Sequence, residues 1–227
     1  MKNFLLFFFL SMTIASSANA DGADDWQDVG FNTDILNQLN QCKGCDLRAT
    51  NFIGANLSGA NLSGANFIEA KLSGANLSGA NFEGSSLFGS NFEGANLENT
   101  SFFAANLFGV TLKEAWLIGA DLRQADLSKA DLTLANLTGA NLTNANLTGA
   151  YLTGADLRSA NVSYANLTNA NLNGVISGSI VGVPAALSSG YRVVNGYLVG
   201  PQVSLNLARL SNADLSGVDL TGASLSI

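Results

Sequence analysis

Ala55-Asn-Leu-Ser-Gly59 is followed at once by Ala60-Asn-Leu-Ser-Gly64, and Ala135-Asn-Leu-Thr-Gly139 by Ala140-Asn-Leu-Thr-Asn144. The beat is five residues, and it decides the fold. From Leu47 every fifth residue up to Leu172 is Leu or Phe, with Val162 the one exception, which makes 26 consecutive positions. Two residues before each stands a small residue, usually Ala, and Asn or Asp fills most of the positions between. A fixed internal period makes each repeat one structural unit, so it outranks local propensity.

A period of five fits neither regular element. On a helix five residues advance about 500°, so successive leucines drift and make no stripe. On an unbroken strand an odd period would send successive leucines to opposite faces. The chain must therefore bend in every unit. Ala and Leu, two apart, point the same way on a short extended piece. The two residues after Leu, rich in Ser/Thr and Gly/Asn, then turn the chain. Gly54, Gly59, Gly64, Gly139 and Gly149 hold the second turn position, where an unusual dihedral is easiest. The result is a solenoid with Leu/Phe and Ala inside. Helical-repeat solenoids need periods of about 33–47 residues, and none is present.

This run resembles the pentapeptide repeat family, whose consensus is A-(D/N)-L-x-x, over Cys45–Gly174 and again over Val203–Ile227. The resemblance implies an all-β fold, a right-handed quadrilateral β-helix with four pentapeptides per coil. At ~4.8 Å between stacked backbones, the units from Leu47 to Leu172 would form a rod of about 30 Å. A C-x-x-C start, and insertions like Ser177-Gly-Ser-Ile and Asn195-Gly-Tyr-Leu-Val-Gly-Pro201, are similar to those of exported bacterial members. For activity the resemblance implies a scaffold or interaction module. The alternative it carries is DNA mimicry, a gyrase or topoisomerase inhibitor.

The beat stops after Leu172 and resumes at Leu205, 33 residues on, which is not a multiple of five. Within the gap, Asn195-Gly196 lies between Val193, Val194 and Tyr197, Leu198, Val199, a strong hairpin signal. Upstream, Ile35, Leu36 and Leu39 can share a helical face, with Thr33 as N-cap. A short helix there would cap the first coil, whose apolar end needs cover. The expected organisation is a signal peptide (1–20), an acidic segment with N-terminal cap (21–44), repeats (45–174), a loop and hairpin insertion (175–202) and resumed repeats (203–227).

The signal rests on Lys2, an apolar run from Phe4 to Ile14, and Ala18-Asn19-Ala20 before Asp21, with cleavage between Ala20 and Asp21. The run falls short of the roughly 20 residues that span a bilayer, which favours cleavage over an anchor. No membrane association is expected after cleavage. The expected location is periplasmic or secreted, with the thylakoid lumen as the counterpart in a photosynthetic source. The whole chain carries a formal charge of −7, and loss of Lys2 makes it more acidic. Nucleic acid is therefore not an expected partner, since binding needs Lys and Arg to displace counterions.

No catalytic residue, cofactor or metal is expected. The chain contains no histidine, which removes the commonest general base and metal ligand. Asp121, Asp126 and Asp131 fall one per unit, so the solenoid turns them apart. Cys42 and Cys45 would supply only two of the four ligands of structural zinc. Haem attachment would need histidine where Asp46 stands, and a thioredoxin-like site needs a βαβ context. A short-range disulfide is the favoured reading for an exported chain, against two thiols or redox or metal chemistry. One surface feature stands out. Ile68, Phe88 and Phe108 put large apolar side chains just after the central residue, twenty residues apart, and should stack on one face. They are the candidate contact site for a protein partner or a second copy. The bland alternative is that they pack on each other or under another part of the chain.

Overall fold

The computed structural model describes residues 42–226. The signal peptide, its Ala20–Asp21 cleavage site and the expected capping helix before Cys42 lie outside the described residues. Within them the chain forms a β-helix-type solenoid. Parallel bridges join each residue before the central Leu/Phe to its counterpart twenty residues on: Asp46 to Asn66, Asn66 to Ser86, and so to Asn161 with Val181. Four pentapeptides thus complete a coil. The extended pieces are so short that most contribute a single bridged residue. Only β1 (Asn166–Leu167) and β2 (Ala186–Leu187) form a longer parallel pair between coils.

One unit shows why the period is five. The N–H of Leu137 donates to Asp156 O, Gly139 to Arg158 O, and Asn141 back to Ala120 O, at 2.8–2.9 Å, stitching three coils together. Ala140 N–H donates to Leu137 O at 3.0 Å, closing the turn. The remaining N–H, that of Thr138, faces outward and donates to the Oδ1 of Asn136 at 3.0 Å. Every backbone donor of the unit has a partner. Gly139 takes a φ of 69°, the positive value a type II turn requires at its third residue.

Inside, the central and small positions are sealed from water, with Leu62, Leu77, Leu117 and Leu132 at 0% exposure. Burying each Leu contributes about 1.5–3 kcal/mol. The early coils hold the phenylalanines: Phe82 and Phe102 stack at 5.2 Å and 12°, and Phe92 meets both edge-on. Ser85, Ser90 and Thr100 replace Ala in the same region. Their hydroxyls donate to the carbonyls of Phe82, Leu87 and Leu77, which offsets the cost of burying them.

Beyond Leu172 the sequence loses its beat, yet the coil does not. Asp156 bridges Ile176, Asn161 bridges Val181, and β1 pairs β2, all at a spacing of twenty. The spacing changes only afterwards, where Ile176 bridges Ser204. Eight residues are thus added to one coil, and they form the antiparallel hairpin of β3 (Arg192–Val194) and β4 (Tyr197–Val199). Asn195 (φ 49°) and Gly196 (φ 76°) make its turn. Ser177 stands twenty residues after Leu157, and its buried hydroxyl accepts the N–H of Leu198 at 3.0 Å. Leu198 and Val199 join the core. Arg192 Nη2 donates to the carbonyls of Asp214 and Ser216, tying the hairpin to the last coil. Among the described residues no helix is long and apolar enough to cross a membrane.

Candidate interaction surface

Cys42 and Cys45 form a disulfide with their Cα atoms 5.4 Å apart. Cys45 occupies the slot that Ala fills in later units, and its carbonyl accepts the N–H of Asn66 from the next coil. Both cysteines are buried. The pair anchors the start of the first coil.

Asp121, Asp126 and Asp131 are not brought together. Asp121 takes a two-pronged hydrogen bond from Arg123, Asp126 accepts from Ser128, and Asp131 lies 3.8 Å from Lys113. Among the described residues, no three metal-ligating side chains are close enough to hold an ion. The Asp–Leu–Arg pattern recurs at Asp46/Arg48 and Asp156/Arg158. Hydrogen bonds from the arginine side chain hold the Asp46 and Asp121 carboxyls below the usual carboxylate range. At Asp156 burial pushes upward, but the hydrogen bonds from Arg158 outweigh it and the net shift is down.

The structure stacks Phe88 directly against Phe108, with centroids 5.6 Å apart and planes 11° from parallel. Both remain exposed, at 43% and 38%, and Ile68 one coil below is half-buried. Their column is fixed by main-chain bonds: Glu69 N–H donates to Phe88 O, Gly89 to Phe108 O, and Gly109 to Ser128 O. Phe103 is placed differently, since the guanidinium of Arg123 lies 5.3 Å above its ring and covers it. That pairing is twenty residues apart and follows from the coil length, a signal available in the sequence once four units per turn are assumed. Trp116 and Tyr151 are exposed on other columns.

The Pentapeptide repeats family matches in eight copies, over residues 41–79, 65–102, 105–144, 135–174 and 201–226. No curated protein matches the chain. Among solved structures it is similar to HetL, a pentapeptide repeat protein involved in heterocyst differentiation regulation in Nostoc sp. strain PCC 7120. The identity is 29% over 82% of this chain and 86% of that one, with a TM-score of 0.38. It is also similar to Rfr23 from Cyanothece 51142, at 25% identity over 71% and 99% of the two chains and a TM-score of 0.30. A pentapeptide repeat protein of the Arabidopsis thaliana thylakoid lumen is 31% identical over 58% and 71%, with a TM-score of 0.24. The repeat matched over well more than half of its residues, bridged coil on coil at a spacing of twenty, places this chain in the pentapeptide repeat family.

Proposed function

We propose that this chain is an exported, non-catalytic scaffold that engages another protein through the Phe88–Phe108 column. The observation that carries the reading is the stacked, solvent-facing ring pair with Ile68 below it. Two phenylalanines in register on a regular wall present a continuous apolar strip, and aromatic strips favour protein contact. The export reading is supported by the Lys2–Ala20 signal pattern and by the oxidised Cys42–Cys45 pair, which suits a compartment outside the reducing cytoplasm. The periplasm or the extracellular space is the proposed location, or the thylakoid lumen in a photosynthetic source. The scaffold itself is proposed to be a right-handed quadrilateral β-helix capped by a helix upstream of Cys42. Its proposed divisions are 1–20, 21–44, 45–174, 175–202 and 203–227. DNA mimicry fits less well. It needs a continuous acidic surface, and Asp46, Asp121 and Asp156 are each neutralised by an arginine two residues on.

Cell fractionation with N-terminal sequencing should find the chain outside the cytoplasm, beginning at Asp21. Affinity capture with the wild-type protein should recover a partner, or a second copy, that the Phe88→Ser/Phe108→Ser double variant loses. Equal recovery by both proteins, each with the same circular dichroism, refutes the patch.

A further inference from the structure

The column beside the two rings carries a charge pattern that is complementary to its own reverse, acidic at one end and basic at the other. Its turn positions run Glu69, Gly89, Gly109, Lys129, each one coil above the last. Glu69 and Lys129 are both exposed, and among the described residues neither belongs to an ion pair. Three coils separate them, about 14 Å at the spacing of stacked backbones, so they do not meet within one chain. The midpoint of this column falls between Gly89 and Gly109, beside the contact of Phe88 with Phe108.

We propose that the partner of this face is a second copy of the chain, packed antiparallel about a twofold axis running along the strand direction between Phe88 and Phe108. The proposal rests on the same patch reading and names its occupant. The axis keeps each side-chain column opposite itself and reverses the coil order. Phe88 then faces Phe108 of the second copy, and Glu69 faces Lys129, each pair occurring twice as isologous symmetry demands. In the next column Asn66 faces Asp126, an amide donor against a carboxylate. The glycine corners at 89 and 109 leave no side chain to hold the two walls apart. A parallel arrangement, with the axis along the solenoid, keeps each coil opposite itself, so Glu69 and Lys129, three coils apart, would be left without counter-charges. Charge complementarity therefore selects the antiparallel pair.

The size of the face sets the strength. A strip about four residues wide and six coils tall covers roughly 400 Å² per copy. Doubled, this lies below the ~1,200 Å² of stable complexes, so the pair is a weak, reversible dimer. Its dissociation constant should fall in the micromolar range or above and rise with salt.

Sedimentation equilibrium of the purified protein at high concentration and low ionic strength tests the pair. Phe88→Ser/Phe108→Ser should raise the dissociation constant by about tenfold or more. Lys129→Glu alone and Glu69→Lys alone should each weaken it by about tenfold, through two like-charge contacts. The double exchange Glu69→Lys/Lys129→Glu should restore it. Carbodiimide, a zero-length coupler of amines to carboxylates, should join Lys129 to Glu69 only in the dimer band. A monomer at all concentrations overturns the proposal. If capture of a different protein still depends on Phe88 and Phe108 in that case, the patch reading survives without it. Self-association that depends on the two rings but ignores the charge exchange overturns the antiparallel arrangement. Coupling of either residue to the segment before Cys42 of its own chain shows that this segment is the occupant, and also overturns it.

Discussion

The five backbone donors of residues 137–141 find four carbonyls and one side chain, and that one side chain explains the Asn or Asp of the repeat. The outward N–H after the central residue has no carbonyl from a neighbouring coil, and where Asn or Asp stands two residues earlier its Oδ1 takes it. The same bond recurs at Asn61/Ser63, Asp121/Arg123, Asn146/Thr148 and Asn171/Asn173. An amide and a carboxylate serve equally as acceptors, which is why both occur there. Where Asp is followed two residues on by Arg, a second interaction is added. Asp156 is the most enclosed case, with its side chain 14% exposed and Arg158 Nε within 2.9 Å of Oδ2. Asp156→Asn keeps the Oδ1 acceptor for the Arg158 backbone N–H and removes the charge together with the Oδ2 acceptor of the guanidinium. Because the carboxyl is held below its ordinary value, the ion pair stabilises the fold above about pH 4, the unfolded-state value. That contribution is lost as the pH falls through the lowered folded value. Wild type should exceed Asp156→Asn by about 1 kcal/mol or less at pH 7, given the exposed arginine. The gap should hold constant down to about pH 4 and close below it. Urea unfolding of both proteins from pH 7 to pH 2 measures this, and a gap unchanged at pH 2 would assign the effect to something other than the carboxylate.

At the scale of the element, the hairpin is where the repeat both fails in sequence and persists in space. The Asn195–Gly196 turn was legible because positive φ at both positions is a demand few residues meet. The continuation of the coil through residues 175–187 was not. The Ala-x-Leu signature marks core filling, whereas coil pairing needs only main-chain donors and acceptors. Ser177, at the register of a central leucine, leaves room that β4 fills with Leu198 and Val199. The sequence therefore signals where side chains fill the core and is silent where another segment fills it. The patch shows a similar boundary. The twenty-residue spacing announced that Phe88 and Phe108 share a column, but their degree of exposure depends on what packs nearby, which the period does not encode. Gly182 tests the close packing of this coil. A Cβ there would lie 2.9 Å from Ser163 Cα, in the coil below, at a φ of 81°. Main chain cannot yield as a side-chain tip does, so Gly182→Ala should cost about 3 kcal/mol. Gly139, with a similar positive φ and nothing within 4 Å, provides the control, and Gly139→Ala should cost about 1 kcal/mol. Chemical denaturation of the two variants gives both numbers. Equal costs would mean that the coil holding Gly182 is free to move away from Ser163.

The molecule as a whole is a stack in which each coil touches only its neighbours, and its burial is uneven along the axis. Central leucines from Leu62 to Leu152 are at or near zero exposure, while Leu210, Leu215 and Leu220 are only partly buried and Leu225 is 63% exposed. In a linear array, stability is approximately a sum of coil terms and nearest-neighbour terms. The coil that carries Leu210, Leu215 and Leu220, the least covered among the described residues, should therefore open before the rest, held mainly by main-chain bonds and by Arg192. Two truncations separate the regimes. Leu127→Ala removes a fully buried side chain from a coil flanked on both sides, and should cost about 2–5 kcal/mol with a clear drop in Tm. Leu215→Ala, in the partly covered coil, should cost about 1 kcal/mol or less, because little area is lost and no enclosed cavity forms. Hydrogen exchange under native conditions resolves the difference along the chain. Amides between Leu205 and Ala223 should exchange fastest in the wild type. Leu215→Ala should accelerate that group alone and leave the amides around Leu97–Leu157 unchanged, whereas Leu127→Ala should accelerate exchange on both sides of its own coil. Equal losses of Tm from the two substitutions, with protection uniform from Leu57 to Ala223, would show instead that the last coil is covered in solution and that the solenoid opens as a single body.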